Sequence, residues 1–336
     1  MNRVETNPTD QYRALRRGCG LVDYSAVGFV RVSGAVATDF LGEICTRSTD
    51  FLLEGQISAA LMLRENGLIV SEVLIYRSAT DYLVEIWPDQ ARVAVDHLLT
   101  AAEGVTDLDV TDASDQYAAY GVEGPAAGRI AAKFLPFPVA SMAYGSFVVT
   151  EDGLAARIGV TGEYGYKFVV PAAKAADMHD QLVVLGAPDC GRAVLDVCRM
   201  EARYVNLERE SGGAEVTPFE VGLQWLIDFE HDFVGREALL VRWNNGLERE
   251  PVCWVADEGL VAPPARGSGV VVDDTEVGMV THAVHSPSLA RVIGTALVDS
   301  SVAASGLDLG LAAPKLAIRT ISAPFLVPRS FRMPLA

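Results

Sequence analysis

The sequence predicts an α+β protein of three units, the last of them an all-β barrel. Three observations carry that reading. The chain has 336 residues, half of them hydrophobic, enough for two or three compact cores. From Ile57 onward a hairpin, a third strand and an amphipathic helix follow one another before strands return, which is the order of a mixed sheet-and-helix unit. Beyond the polar link Asn244 to Glu250, short strands dominate, separated by Gly and Pro turns, as in a small barrel or jelly roll.

The elements follow in order. Asp10 to Cys19 reads as a helix, with Tyr12, Leu15 and Cys19 on one face and Gly18 and Gly20 bracketing its end. Val27 to Val32 is a strand and Ala35 to Ile44 a helix. Ile57 to Met62 and Leu68 to Arg77 form a hairpin about Glu65-Asn66-Gly67, since Asn-Gly supplies the positive φ angles of a tight turn. The second of these strands is nearly all apolar, with Glu72 on the same face as Val70, Leu74 and Tyr76. Tyr82 to Trp87 adds a strand, and Ala91 to Ala101 a helix with Val93, Val95, Leu98 and Leu99 inward. Strands at Val105–Val110 and Tyr117–Val122 and a helix at Ala126–Phe134 follow, then a proline-bearing boundary at Leu135–Val139. Strands return from Ser146 to Val170, with helices at Ala172–Leu185, Cys190–Glu201 and Arg236–Trp243.

The helix ending at Glu201 sets Arg192, Asp196, Arg199 and Arg203 at i+4, i+3 and i+4, a stripe expected to face solvent. Glu201 continues the opposite, apolar side, where a carboxylate needs donors to meet it. Thr217-Pro218-Phe219-Glu220 is a capping box with proline at the first helical position.

Composition narrows the function. The formal charge of −17 repels nucleic acid and anionic membranes. No apolar run approaches the roughly 20 residues of a membrane helix, and the N-terminus lacks the apolar core of a secretory signal. Five cysteines without C-x-x-C spacing point to reduced thiols and a cytoplasmic protein. Dinucleotide, P-loop, G-x-S-x-G and H-E-x-x-H patterns are missing. His282 and His285 lack partners that would mark a metal site.

Several fragments together carry a resemblance: R-R-G-C-G-L-V-D-Y-S (Arg16 to Ser25), V-T-G-E-Y-G-Y (Val160 to Tyr166), C-G…R-M-E (Cys190 to Glu201), T-P-F-E-V-G-L-Q-W (Thr217 to Trp225), D-F-V-G-R-E-A-L (Asp232 to Leu239) and V-G-M-V-T-H-A-V-H-S-P-S-L (Val277 to Leu289). In this order, over nearly the whole chain, they resemble the aminomethyltransferase (glycine-cleavage T-protein) family. The resemblance implies a three-domain cloverleaf around a central channel that holds tetrahydrofolate. It divides the chain into a discontinuous folate-binding domain (residues 1–50 with 141–245), a ferredoxin-like α+β domain (51–140) and a C-terminal barrel (246–336).

It also assigns roles. Glu201 falls where the family's glutamate accepts the two adjacent pterin donors; the other reading is a carboxylate paired with a structural arginine. Ser71-Glu72-Val73 matches an S-D-L pattern, with glutamate in place of the aspartate that steers protons near N5 of folate; the plain alternative is a glutamate reaching solvent. Glu163, Tyr164 and Tyr166 sit in a glycine-bearing loop suited to a flat ring, and equally to a simple turn. Tyr82, Trp225, His231 and Arg236 complete the expected cofactor contacts. Trp225 is otherwise a core residue, His231 a surface histidine and Arg236 a solvated one. Val160 stands where the family carries tyrosine, and the family's F-x-G-W-x-x-P segment is not recognisable. The K-G-C-Y-x-G-Q-E motif of related iron–sulfur maintenance proteins does not occur. The expected activity is one-carbon transfer between folate N5 and a small methylated or aminomethyl substrate. The alternatives are aminomethyl transfer from a lipoylated carrier protein and a non-catalytic folate-binding sensor or scaffold.

Overall fold

The computed structural model describes residues 7–258, 260 and 262–334. Two sheets and a closed barrel make up the molecule. The six-stranded sheet runs Asp189–Cys190, Gly20–Asp23, Tyr117–Glu123, Gly165–Pro171, Gly153–Arg157 and Ser146–Thr150. The five-stranded sheet runs Ile57–Leu63, Ile69–Arg77, Asp81–Ile86, Gly28–Gly34 and Leu108–Asp112. An isolated bridge between Gln56 and Ser146 joins the two sheets at one edge.

This membership differs from the boundaries expected at residues 50 and 140. Gly28–Gly34 pairs with Asp81–Ile86 and Leu108–Asp112, so it belongs with the strands that follow residue 51. Tyr117–Glu123 pairs instead with Gly20–Asp23 and Gly165–Pro171. The chain therefore changes sheets at the turn before Val27 and at the short helical turn Ser114–Gln116. All neighbours in the five-stranded sheet are antiparallel.

Most local signals fold as their sequences dictate. The first helix spans Pro8–Arg17, capped by Asn7, whose side chain accepts from the Asp10 N–H. The hairpin about Gly67 forms with φ +79, and a Cβ there would press to 2.9 Å from Leu239, so both turn and packing demand glycine. Glu220 accepts from the N–H and the hydroxyl of Thr217, each at 2.7 Å, which fixes the start of Pro218–Val221. The helix Ala91–Ala101 has the predicted bounds with a shifted face: Ala94, Val95 and Leu98 are buried, while Val93 is 54% exposed.

The barrel closes through Arg249–Ala256, Arg291–Asp299, Thr275–Ser286, Gly269–Val272, Asp308–Leu311 and Leu316–Ile321. Trp254 fills its centre, and Gly294 makes room: a Cβ there would lie 2.6 Å from the indole. No helix among the described residues is long and apolar enough to cross a membrane. All five cysteines are buried and unbonded.

The Trp254 fit implies a test. Gly294→Ala should lower the thermal midpoint by an overpacking penalty of about 1–3 kcal/mol, read by calorimetry, because a methyl group has no free volume beside the indole.

Candidate functional site

The helix Arg192–Ala202 sets the site. Its apolar side, with Val194, Leu195 and Cys198, packs into the core, and the later part of its charged stripe turns inward: Arg199 is buried and Asp196 half-buried, while Arg192 stays exposed. Arg192, Asp196 and Arg199 line a chamber of about 130 Å³. Arg199 and Arg203 line a second chamber of about 410 Å³. Most of the stripe expected to be solvated is cavity wall, with Arg192 alone exposed.

The two chambers share Tyr24, Glu72, Trp87 and Arg199. Walls of the larger one are aromatic at several points, including Tyr144, Tyr204 and Trp225. Trp225, 59% exposed, stands at its rim and is not core. Tyr24 packs against the sheet where Gly121 leaves room: a Cβ there would sit 2.6 Å from the ring.

Glu72 is half-buried and is the only carboxylate among the residues lining the larger chamber. No group among the described residues donates a hydrogen bond to its carboxyl; only its backbone carbonyl is engaged, by the Ser71 hydroxyl at 2.9 Å. Burial pushes the carboxyl above the usual carboxylate range, and the charges of Arg199 and Lys167 offset part of that rise.

Beneath the wall lies a charge network that sequence reasoning missed. Lys167 donates to Glu85 at 2.5 Å and sits 4.5 Å from the centre of the Tyr24 ring, a cation–π contact. Tyr76 donates to the other Glu85 oxygen at 2.6 Å. Tyr24 donates to Glu123 at 2.7 Å, and Glu123 also accepts from the Thr161 hydroxyl and the N–H groups of Val160 and Thr161. Alternation along Gly165–Pro171 could have placed Lys167 opposite Tyr166, but nothing local names Glu85 as its partner.

Arg199 stacks on Trp87, with the guanidinium carbon 4.4 Å from the ring centre, and donates from Nη2 to the Val205 carbonyl. Its Nε is buried without an acceptor. Asp196 pairs with His282 at 2.8 Å and accepts from Asn206 at 2.7 Å. Burial opposes its ionisation, yet the His282 and Asn206 contacts outweigh that and hold the carboxyl below its usual range. His282 thus has an acidic partner that the sequence did not disclose.

Several expected contacts lie elsewhere. Glu201 is fully buried and lines neither chamber; it accepts from Tyr12 at 2.6 Å, Arg16 Nε at 2.8 Å and Ser286 at 2.5 Å. Here the carboxylate is paired with a structural arginine, the second of the two readings of this position. Glu163 accepts from the N–H groups of Arg329 and Ser330 and the Ser330 hydroxyl, pinning the C-terminal segment. Tyr166 is fully buried in the sheet core, its hydroxyl unpartnered, and Tyr164 donates to the Met333 carbonyl. Tyr82 packs in the other sheet's core and shares a hydrogen bond with Thr38. His231 meets the Cys45 carbonyl at 3.2 Å and packs on Phe233. Arg236 donates to the Phe229 carbonyl and pairs with Glu237. Of the expected residues, Glu72 and Trp225 alone line the chambers.

A barrel docked on a two-sheet body, with a small-molecule cavity walled by aromatics and one free carboxyl, is a ligand-binding architecture. The GCVT N-terminal domain matches residues 2–231, and the glycine cleavage T-protein C-terminal barrel domain matches residues 249–326. The chain belongs to this glycine cleavage T-protein family. An aminomethyltransferase of Listeria monocytogenes serotype 4a (strain HCC23) is 28% identical over 326 residues, 94% of this chain and 88% of that one. The aminomethyltransferase of Thermotoga maritima is 30% identical over 319 residues, 92% of this chain and 86% of that protein. The crystal structure of glycine cleavage system aminomethyltransferase T from Bartonella henselae has the same fold. It superposes with a TM-score of 0.87 at 21% identity, covering 97% of this chain and 91% of that one.

Two outcomes are expected. Glu201→Gln strips Arg16 of its buried carboxylate and should cost about 3–5 kcal/mol, read as a large fall in the denaturant midpoint; a variant as stable as the parent would refute the anchoring role. For Glu72 the sign runs the other way. Its folded carboxyl holds a proton that the unfolded chain has already released above about pH 4.5, so stability is lost as pH rises through the folded value. Glu72→Gln should match the parent near pH 4 and exceed it near pH 8 in thermal midpoint.

Proposed function

We propose that this chain is a tetrahydrofolate-dependent one-carbon transferase, acting at Glu72 on a small methylated or aminomethyl substrate. The observation that carries the reading is Glu72 itself: a carboxyl without a donor, raised in proton affinity, on the wall between two chambers. Membership of the T-protein family supports folate as the carrier. The larger chamber, about 410 Å³ with aromatic walls, fits a flat pterin ring.

Tetrahydrofolate supplies a ring nitrogen able to accept or give up a one-carbon unit. The chain does the rest. Tyr24, Trp87 and Tyr204 bound the ring's space and exclude water. With Glu201 committed to Arg16, Glu72 is the carboxyl left to hold or take up a proton at the reacting nitrogen. Its raised proton affinity suits exchange near neutral pH. Lys167, neutralised by Glu85, and Arg199 keep that affinity from rising further.

A second reading, delivery of the aminomethyl group by a lipoylated carrier protein, is favoured by the rim of the larger chamber. Trp225 and Tyr144, 59% and 61% exposed, offer an apolar landing there.

Glu72→Gln should leave tetrahydrofolate affinity within a few-fold and reduce turnover by ~10²–10⁴, measured by calorimetry beside steady-state rates. Full turnover would remove Glu72 from the reaction; a large loss of affinity would make it a pterin anchor instead. With an acidic lipoylated carrier as donor, the charge of −17 predicts a rate that rises with added salt. A rate falling steeply with salt would reveal a local basic dock.

A further inference from the structure

The buried charges among the described residues are compensated with two exceptions. Arg16 meets Glu201 and Glu163, and Lys167 meets Glu85. Arg203 grips Glu210 through two bonds at 2.8 and 2.9 Å. Glu123 has four donors. The exceptions are Arg199 and Glu72.

Arg199 is only 6% exposed, yet it forms no ion pair. One of its nitrogens reaches a carbonyl, Nε has no acceptor, and Nη1 has no protein partner. A guanidinium held this far from water is costly unless an anion meets it. Glu72 shares both chambers with it and influences it electrostatically, but the two are not in contact. A gap therefore separates an uncompensated cation from an uncompensated carboxyl.

The smaller chamber, lined by both, measures about 130 Å³. A cavity of about 150 Å³ takes a ring of six carbons, so the space here admits roughly that many heavy atoms. Its other walls are acidic on balance, with Asp23, Asp89, Asp196 and Glu208 against Arg192 and Arg209. That field favours a cationic amine near Glu72 and leaves Arg199 as the one buried site for an anion.

We infer that the smaller chamber is the subsite of the second substrate, and that this substrate is a small zwitterion: an N-methylated amino acid whose carboxylate is held by Arg199 and whose amine faces Glu72. The assignment rests on the transferase reading and narrows its substrate class. Arg199 acts as a binding and specificity residue. It presents a planar donor set to a planar carboxylate, with Trp87 fixing the guanidinium plane from one side.

Calorimetry with N-methylglycine and its methyl ester tests the charge requirement on the unaltered protein, beside a separate tetrahydrofolate titration. The acid should bind, with the ester weaker by roughly 10- to 100-fold, the scale of a hydrogen bond to a charged group. Arg199→Gln should weaken the acid by a similar factor and leave the ester within about threefold, whereas Arg199→Lys should recover part of the loss. Circular dichroism and the thermal midpoint confirm that the variants fold. Equal binding of acid and ester overturns the inference, as does tetrahydrofolate binding with no binding of the acid; in that last case the folate reading survives. An Arg199→Gln loss as large for tetrahydrofolate as for the acid assigns the guanidinium to folate's own carboxylates and also overturns it. Acid binding with the stated charge requirement but no tetrahydrofolate binding upholds the subsite and sinks the folate reading.

Discussion

The carboxylate of Glu201 holds the architecture together. It joins the first helix, through Tyr12 and Arg16, to the helix Arg192–Ala202 and, through Ser286, to the barrel. Arg16 extends the tie with bonds to the carbonyls of Thr161 and Cys198. The Glu201 carbonyl accepts from the N–H groups of Phe325 and Leu326, bringing in the segment after the last barrel strand. A buried ion pair contributes little net stability against an apolar replacement, but a broken one is expensive. The cluster therefore acts as a register pin: only one rotation of the helix satisfies all its donors.

That pinned rotation decides where the site is. A residue two positions before Glu201 lies about 200° around the helix, so fixing Glu201 in the protein interior turns Arg199 the other way. Here the other way is a chamber closed by Trp87 and Tyr24. Arg192 and Asp196 follow along the same stripe, and Arg203, in the left-handed conformation that ends the helix, folds back onto Glu210. The residue expected to bind the ligand positions the wall, and the wall carries the groups free to bind it.

Local chemistry was legible in the sequence and long-range partnership was not. The Asn-Gly hairpin, the Thr217 capping box, the bounds of Ala91–Ala101 and the C-terminal barrel follow from propensities and turn residues within a few positions of each other. Glu201 was correctly placed on the apolar side of its helix. Its partner, Arg16, is 185 residues away, and no periodicity identifies it. The same limit applies to Lys167 with Glu85 and Asp196 with His282. Tyr82, His231 and Arg236 engage Thr38, the Cys45 carbonyl and the Phe229 carbonyl, and Tyr166 is buried in its sheet; none of these placements could be read from the local sequence. Sheet membership was out of reach for a related reason. Gly20–Asp23 and Gly28–Gly34 are separated by a short turn yet pair in different sheets, a choice made by strands a hundred residues later.

What distinguishes Glu72 from the other buried acids is the kind of neighbour it has. Lys167 lies on the same chamber, but its charge is spent on Glu85 at 2.5 Å, and a closely neutralised pair projects a dipole whose influence fades faster than that of a lone charge. Arg199 has no acid in contact, only Asp196 at longer range, so its field reaches Glu72 less diminished. Two opposing demands then meet at one carboxyl: desolvation favours the proton, and the lone guanidinium favours its release. A zwitterion in the chamber would act on that carboxyl in two senses, its carboxylate cancelling the pull of Arg199 and its ammonium favouring the ionised form. In that arrangement occupancy of the anion site and the protonation state of the reacting carboxyl are linked, so the wall that binds substrate also sets the acid for it.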